Sequence, residues 1–521
     1  MKILFCTQSE SLRMFDTLRG AINKSVPVEK VAYTVADSFT YDKWLVEHPD
    51  FENQGHEIMK EWDITSQRHG VPDLDKLAEY ERKLDCEAGL FGAIIADRRL
   101  FMGPDCATSQ DYRRRFSDTE LLCILQKALE EIEKLFDTVQ PDIMVSFICV
   151  TMQDYLAYIF AKARGVRVFN LRPTRVGDRV SFSSILNDPS PEFTDNYHDI
   201  LASGESTYLP EAQAHIKRVR EKHGRYEGVI KPSDRPAMKA NISRFRKVGG
   251  IISAAKNYLN YRKSTAFNDN HVPDPLRTLL FTALKNPYRA RKAQQALAAT
   301  YIRKDELSKT KYVFFPLHTE PEVSLLVYGR PYVNQIEVIR MLAMSLPIDM
   351  VVVVKEHPWM VGKRSLNAYK KMLNIPRVRL ADPGMDARDL IISADLISVI
   401  TGSVALEAAM IGRPVITFGD CPYNLLPNSM VRRCDDPRNL QSIVKESLSS
   451  SKTDENALEA YVASVFETSA SVNLYSSLLG KKNVHVEHDR TYNDEIQKMA
   501  DFLLEQVKTD EPSVSQYSAN W

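Results

Sequence analysis

Four valines in succession, Val351 to Val354, sit between Met350 and the polar group Lys355-Glu356-His357-Pro358. They constrain this chain more than any other stretch. A continuous β-branched run has no polar face, so it suits a strand covered on both sides, the central strand of a parallel sheet. Pro358 disfavours helix at His357, so the polar group leaves that strand as a loop at its carboxyl end. The same order of apolar run, polar or glycine break and helical pattern recurs on both sides. Residues 311–316 (KYVFFP) precede the loop LHTEPEVS. Residues 396–400 lead into Thr401-Gly402-Ser403, a helical pattern over 404–410, the break Gly412-Arg413-Pro414 and a further run at 415–418. Repeated strand–loop–helix units predict a doubly wound α/β domain.

In such sheets ligands collect at the carboxyl ends of the strands. Three loops there carry His318, Glu320 and Glu322, then Lys355, Glu356 and His357, then Thr401, Gly402 and Ser403. A lysine supplies fixed positive charge and a histidine a directional donor, a pairing suited to phosphate or carboxylate. Thr401 or Ser403 is expected to cap the helix that follows, and Gly402 lets backbone approach closely, so the helix start reads as an anion site. Glu407, one turn inside, is in reach of a ribose or simply sits near the positive helix end. His318, Glu320 and Glu322 lack a companion aspartate/histidine cluster, so no metal is expected and positioning of a sugar is the better reading. The plainer alternatives are a histidine that ties down its own loop and a cap like any other. The pairing of two such loops favours ligand binding.

At 521 residues the chain exceeds one ordinary core, which predicts two domains. The first strand is expected at residues 2–6, with a helix from about Ser11. A firm helix is predicted over 117–139, with Ser117 and Glu120 as its capping box. A strand at 143–150, a helix to Ala163 and a strand at 166–170 make another βαβ unit, and residues 34–115 read as helices with irregular connections. The loop LRPTRVGDRVSF follows, with Arg172, Arg175 and Arg179 around Asp178. These arginines either bind an anionic donor or acceptor or form an ion-pair cluster with Asp178. A general base is expected from this half, across a cleft, with Glu10, Asp154 and Asp178 as candidates; Glu322 is a further catalytic candidate from the other half.

Lys+Arg and Asp+Glu both total 68, so overall charge favours no partner and no nucleic-acid binding is expected. Residues 231–303 are nevertheless basic, with Asp234, Asp269 and Asp274 their only acidic residues. Residues 242–263 mix basic and apolar residues at roughly helical spacing, interrupted by Gly249-Gly250. They read as a solvated connector, or alternatively as a contact with anionic lipid headgroups at a membrane surface. The seven cysteines show no close pairing and lie mostly in apolar runs, so reduced core thiols are expected. No run approaches a membrane span and the first residues lack a signal-peptide core, so a cytoplasmic protein, peripheral at most to the inner face of the membrane, is expected. The divisions are 1–225, a basic connector at 226–305, a second domain at 306–480, and a final helix over 489–507 with a polar tail.

PLHTEPE, Gln335, VVVVKEHP and TGSVALEAAMIGRPVITFGD together resemble the capsule polysaccharide synthesis family, most clearly over residues 312–423. These are GT-B-like glycosyltransferases of bacterial surface carbohydrates, including 3-deoxy-manno-octulosonate (Kdo) transferases of capsule assembly. The resemblance implies two Rossmann-like domains facing a cleft, and a last helix that returns to brace the first. It implies a nucleotide-sugar donor with no separate cofactor, a CMP-activated sugar being one such donor, and a glycan or lipid-linked acceptor. The donor-phosphate roles fall on His357 with Pro358 and on Thr401 and Ser403. No second glutamate follows Glu407 to complete the paired-glutamate motif of many retaining GT-B enzymes, so Glu407 is not a nucleophile. Two alternatives share the fold: a nucleotide-sugar epimerase or hydrolase, which needs no acceptor groove, and a non-catalytic assembly protein.

Overall fold

Polar turns end the apolar runs, and the runs pair into two separate sheets, the first mainly and the second wholly parallel. The computed structural model describes residues 1–85, 89–221, 256, 258–263, 274–481 and 489–509. Most of 242–263, Gly249-Gly250, Cys86 and residues 510–521 lie outside the described residues.

The first sheet contains β1 (Lys2–Thr7), β2 (Lys30–Val35), β3 (Glu57–Lys60), β4 (Ile143–Phe147), β5 (Arg167–Pro173) and β6 (Arg179–Ser183). The second contains β7 (Lys311–Pro316), β8 (Met350–Lys355), β9 (Val378–Ala381), β10 (Leu396–Val399), β11 (Val415–Thr417) and β12 (Val431–Arg433). A short β13 (Ala470–Ser471) rejoins the first sheet, whose order is β13-β6-β5-β4-β1-β2-β3; the second runs β12-β11-β10-β7-β8-β9. Strands β1 to β5 are mutually parallel, as are all six of the second sheet. In each sheet the winding reverses between the first strand and the fourth, so each has a crevice there, between β1 and β4 and between β7 and β10. Val352, Val353 and Val354 are fully buried, as the four-valine run requires.

Two local readings change. Residues 171–182 are not one loop: β5 continues to Pro173 and β6 turns back antiparallel to it, pairing Arg172 with Ser181. Arg172 and Arg179 are therefore strand residues. Strand β3 lies inside the stretch 34–115, whose few alternating residues were too short a signal to separate from helix. The helix Asp118–Val139 carries the expected capping box of Ser117 and Glu120.

The helices Pro191–Ser203 and Leu209–Glu221 follow the first sheet in sequence but share a core with the second. Tyr197, Ile200, Ala212 and Ile216 pack with Leu406, Tyr461 and Val462. In the other direction, the helix Tyr492–Thr509 returns to the first sheet. Its Ile496, Met499 and Leu503 are buried with Ile3, Phe5 and Leu12, each worth about 2 kcal/mol of apolar burial. The six cysteines among the described residues are free. No helix among the described residues is long and apolar enough to cross a membrane.

Candidate functional site

The crevice between β7 and β10 gathers the loops singled out in the sequence. His318 follows β7, and its Nε2 accepts a hydrogen bond from the Thr401 amide after β10 at 3.3 Å. Burial first, and then the neighbouring His357 and Arg364, lower the pKa of His318 to about 4, so the ring is neutral at neutral pH. Gly402 lies against the same imidazole: a Cβ there would stand 3.5 Å from His318 Cε1. Thr401 is also packed between two glycines. A Cβ on Gly419 would come within 2.5 Å of its Cγ2, and one on Gly329 within 3.6 Å. The close approach of Thr401 explains the glycine at 419, while at Gly329 a Cβ would meet Ile400 Cγ2 at 2.5 Å.

Thr401 and Ser403 do not cap the helix Val404–Ile411 as expected. The Thr401 hydroxyl donates to the Ser324 carbonyl at 2.8 Å. Ser403 has helical backbone angles, which aim its side chain away from the first amides, and it makes no side-chain cap. The first amide bonded back into this turn is that of Ala405, to the Gly402 carbonyl at 3.1 Å. The glutamate expected near a ribose is likewise engaged: Glu407 pairs with Arg388 at 2.9 Å.

His357 is half-buried at the end of β8, in the extended conformation that Pro358 enforces, and its Nδ1 accepts from the Trp359 amide at 3.3 Å. Lys355 closes β8 and is buried, its Nζ lying 3.5 Å from the Glu356 carbonyl. Glu322 is exposed and accepts a hydrogen bond from the Thr319 hydroxyl.

Beneath these loops lies a buried framework that sequence reasoning missed. Arg364, in the turn after Pro358, donates to Glu320 Oε2 and Glu356 Oε2, both at 2.6 Å, and to the His318 carbonyl at 3.1 Å. Burial alone would lower its pKa, but Glu356 and Glu320 reverse that and raise it, so Arg364 stays charged. Gln335 completes the brace: its Oε1 accepts from the His318 amide at 2.8 Å and its Nε2 donates to Glu320 at 2.9 Å. Glu356 Oε1 accepts from the His357 amide at 2.8 Å, and its Oε2 also accepts from Tyr369. Both histidine loops therefore hang from one ion-pair network. Glu320 and Glu356 serve as struts, and no group of three His, Cys, Asp or Glu among the described residues could hold a metal.

The first sheet faces this site across a closed seam. Val323 and Val327 pack into the core of the first domain, the Arg330 guanidinium lies 5.2 Å from the Tyr155 ring, and Arg98 Nη1 donates to the Pro321 carbonyl at 3.4 Å. At the crevice of the first sheet, Gln8 Nε2 reaches from the β1 loop to the Phe147 carbonyl at 3.0 Å, and Glu10 follows, partly exposed. Asp154 is buried. Its Oδ2 accepts from the Val150 and Thr151 amides, both at 3.3 Å, at the start of the helix Met152–Ala163. Burial outweighs those bonds, and with Asp97 nearby the Asp154 pKa is pushed up to about 7.

Arg172 finds a carboxylate other than Asp178. Arg172 is buried in β5 and pairs with Asp188 at 2.8 Å, its remaining donors reaching Asn170, Asn187 and Ile185. Arg179 is fastened to Ser469 Oγ (2.8 Å) and to the carbonyls of Phe466 and Ser469. Arg175, with a φ of 66°, is exposed on the hairpin turn. Arg172 and Arg179 take these partners from outside the hairpin, which a reading of the stretch as one loop could not show.

Three comparisons bear on this arrangement. No curated protein matches the chain. Among solved structures, the chain is similar to the KpsC β-Kdo 2,7 transferase of Thermosulfurimonas dismutans, with 12% identity, 73% of this chain and 89% of that one covered, and a TM-score of 0.34. It is similar to the β-Kdo 2,4 transferase of the same protein at 13% identity, 62% and 79% coverage and a TM-score of 0.33. It is also similar to the UDP-GlcNAc 2-epimerase of Neisseria meningitidis bound to UDP-GlcNAc, at 12% identity, 98% and 100% coverage and a TM-score of 0.29. Residues 220–466, which contain the whole crevice between β7 and β10, match the model of the family described as capsule polysaccharide biosynthesis protein.

Proposed function

We propose that the protein is a glycosyltransferase of capsule or surface polysaccharide synthesis, with its nucleotide-sugar donor, a CMP-activated sugar among the candidates, in the crevice between β7 and β10. The observation that carries this is the bond from the Thr401 amide to a neutral, buried His318, with Gly402 against the same ring. It brings the start of a helix and two histidine loops to one point inside the family-matched region. A phosphate there meets the Gly402 and Val404 amides, the positive end of the helix Val404–Ile411, and the His357 ring. In the reaction an acceptor hydroxyl gives its proton to a base, its oxygen bonds to the anomeric carbon, and the bond from that carbon to the donor phosphate oxygen breaks. The electron pair leaves on the phosphate, where those donors stabilise it. Glu10 and Asp154, at the crevice of the first sheet, are the candidate bases, and Glu322 at the seam is placed to orient the sugar.

A thermal-shift screen with CMP, CDP, UDP and GDP tests this against His357→Ala and Ser403→Ala. A ligand at a hundred times its Kd adds about 2.7 kcal/mol of stability. Stabilisation by one nucleotide, lost in both variants, supports the reading; no response to any nucleotide at millimolar concentration refutes it.

A further inference from the structure

Residues 275–297 form one helix with a break in its winding. Asp274 caps it, accepting from the Leu276 and Arg277 amides, and Pro275 is its first residue. A π turn over Phe281–Lys285 then precedes Pro287, whose missing amide the ordinary i→i−4 ladder cannot use. The extra residue in that turn keeps Phe281, Ala290, Ala293 and Leu297 on one buried face. That face is pinned to both domains: Asn286 Nδ2 donates to the Thr108 carbonyl and Arg289 to Ser109 Oγ, both at 2.8 Å, and Ala293 and Leu297 join the core of the second sheet.

Among the described residues the opposite face has no such cover. Leu276, Leu280, Leu284 and Tyr288 recur every four residues and are 44%, 48%, 61% and 65% exposed. Single exposed leucines need no explanation, but four in line on a fixed helix form a continuous apolar strip. Lys285, Arg291 and Lys292 are exposed beside it, and the sequence from 275 to 304 contains no aspartate or glutamate. Lys285 lies over the Phe281 ring at 4.0 Å, so its stem runs along the helix with the ammonium at the margin.

We propose that this outer face docks on a membrane surface containing anionic lipid, with the leucines and Tyr288 in the interfacial layer and the three cations on the headgroups. Charge decides the occupant. A second copy packed through the same strip would bring these cations against a helix with no carboxylate between 275 and 304, whereas an anionic bilayer offers both an apolar layer and opposite charge. The surface is distinct from residues 242–263 and independent of the donor crevice.

The full chain is sedimented with phosphatidylcholine vesicles with and without phosphatidylglycerol, beside Leu280→Glu/Leu284→Glu and Lys285→Gln/Arg291→Gln/Lys292→Gln. All the replaced side chains are exposed, so melting temperatures should stay unchanged. The expected result is binding that needs phosphatidylglycerol, falls about tenfold or more with the glutamates, and weakens with salt and with the glutamines. Equal binding to pure phosphatidylcholine, or undiminished binding of the glutamate variant, overturns the proposal. So does a dimer in light scattering that the glutamate variant dissolves, which would make the face a self-association surface.

Discussion

Arg364→Met removes a guanidinium from a buried cluster. The Arg364 side chain is 1% exposed and its partners Glu320 and Glu356 4% and 2%, so water cannot replace the guanidinium. Two bonds of 2.6 Å and one of 3.1 Å disappear, leaving two carboxylates and the His318 carbonyl facing a methionine. Breaking a buried pair from one side costs about 3–5 kcal/mol, mostly as the desolvation of what remains. In a folding unit of this size 1 kcal/mol moves Tm by about 2–4 °C, so the unit carrying β7 to β12 should melt roughly 6–20 °C lower. Calorimetry on the full chain, which resolves the two units if they melt apart, measures this. Glu320→Gln/Glu356→Gln/Arg364→Met removes the stranded charges and should recover more than half of the loss. A single variant that melts within about 2 °C of the wild type, or a triple variant no better than the single, refutes the assignment of the cluster as the brace of both histidine loops.

The His318 pKa of about 4 lies below the ordinary 6.5, so its contribution is fully present above pH 6.5 and is lost as pH falls through 4. That amounts to about 3 kcal/mol, and denaturation from pH 7 to pH 4 should show a shallower decline for His318→Asn; parallel curves refute it. Asp154 is shifted the other way. Its preference for the acid form is complete below its ordinary 3.8 and lost as pH rises through about 7, so Asp154→Asn should gain stability on wild type at pH 8 relative to pH 5, by about 2 kcal/mol. An offset independent of pH would exclude the buried acid. If Asp154 is also the base, the same variant loses transfer activity and Glu10→Gln keeps it; the reverse result assigns the base to Glu10.

Strand–loop–helix grammar was legible because a buried parallel strand must be apolar on both faces. Residues 350–355, 396–399 and 143–147 announced themselves in that way, as did the Ser117–Glu120 box. The loops that converge on the crevice were legible too, since a loop at a carboxyl end follows from its strand. Their side-chain partners were not. Arg364 stands in a turn without a motif, and its value comes from three acceptors that are 8 to 46 positions away. Arg172 was read with Asp178, six residues on, but the hairpin brings Asp188 to it instead. Arg388 and Glu407 meet between two helices, a pairing that no spacing along one helix would suggest. Long-range ion pairs depend on tertiary packing, which period and propensity do not encode.

The chain passes between the two sheets twice among the described residues, once after β6 and once into β13. Ala470 pairs with Val180 and Ser471 with Arg179, so the returning strand runs along the strand from which the outward path departs. Both tethers leave from one edge, and Arg179 fastens them with its bonds to Phe466 and Ser469. Both crossings therefore depend on one guanidinium, and a change that loosens Arg179 loosens them together.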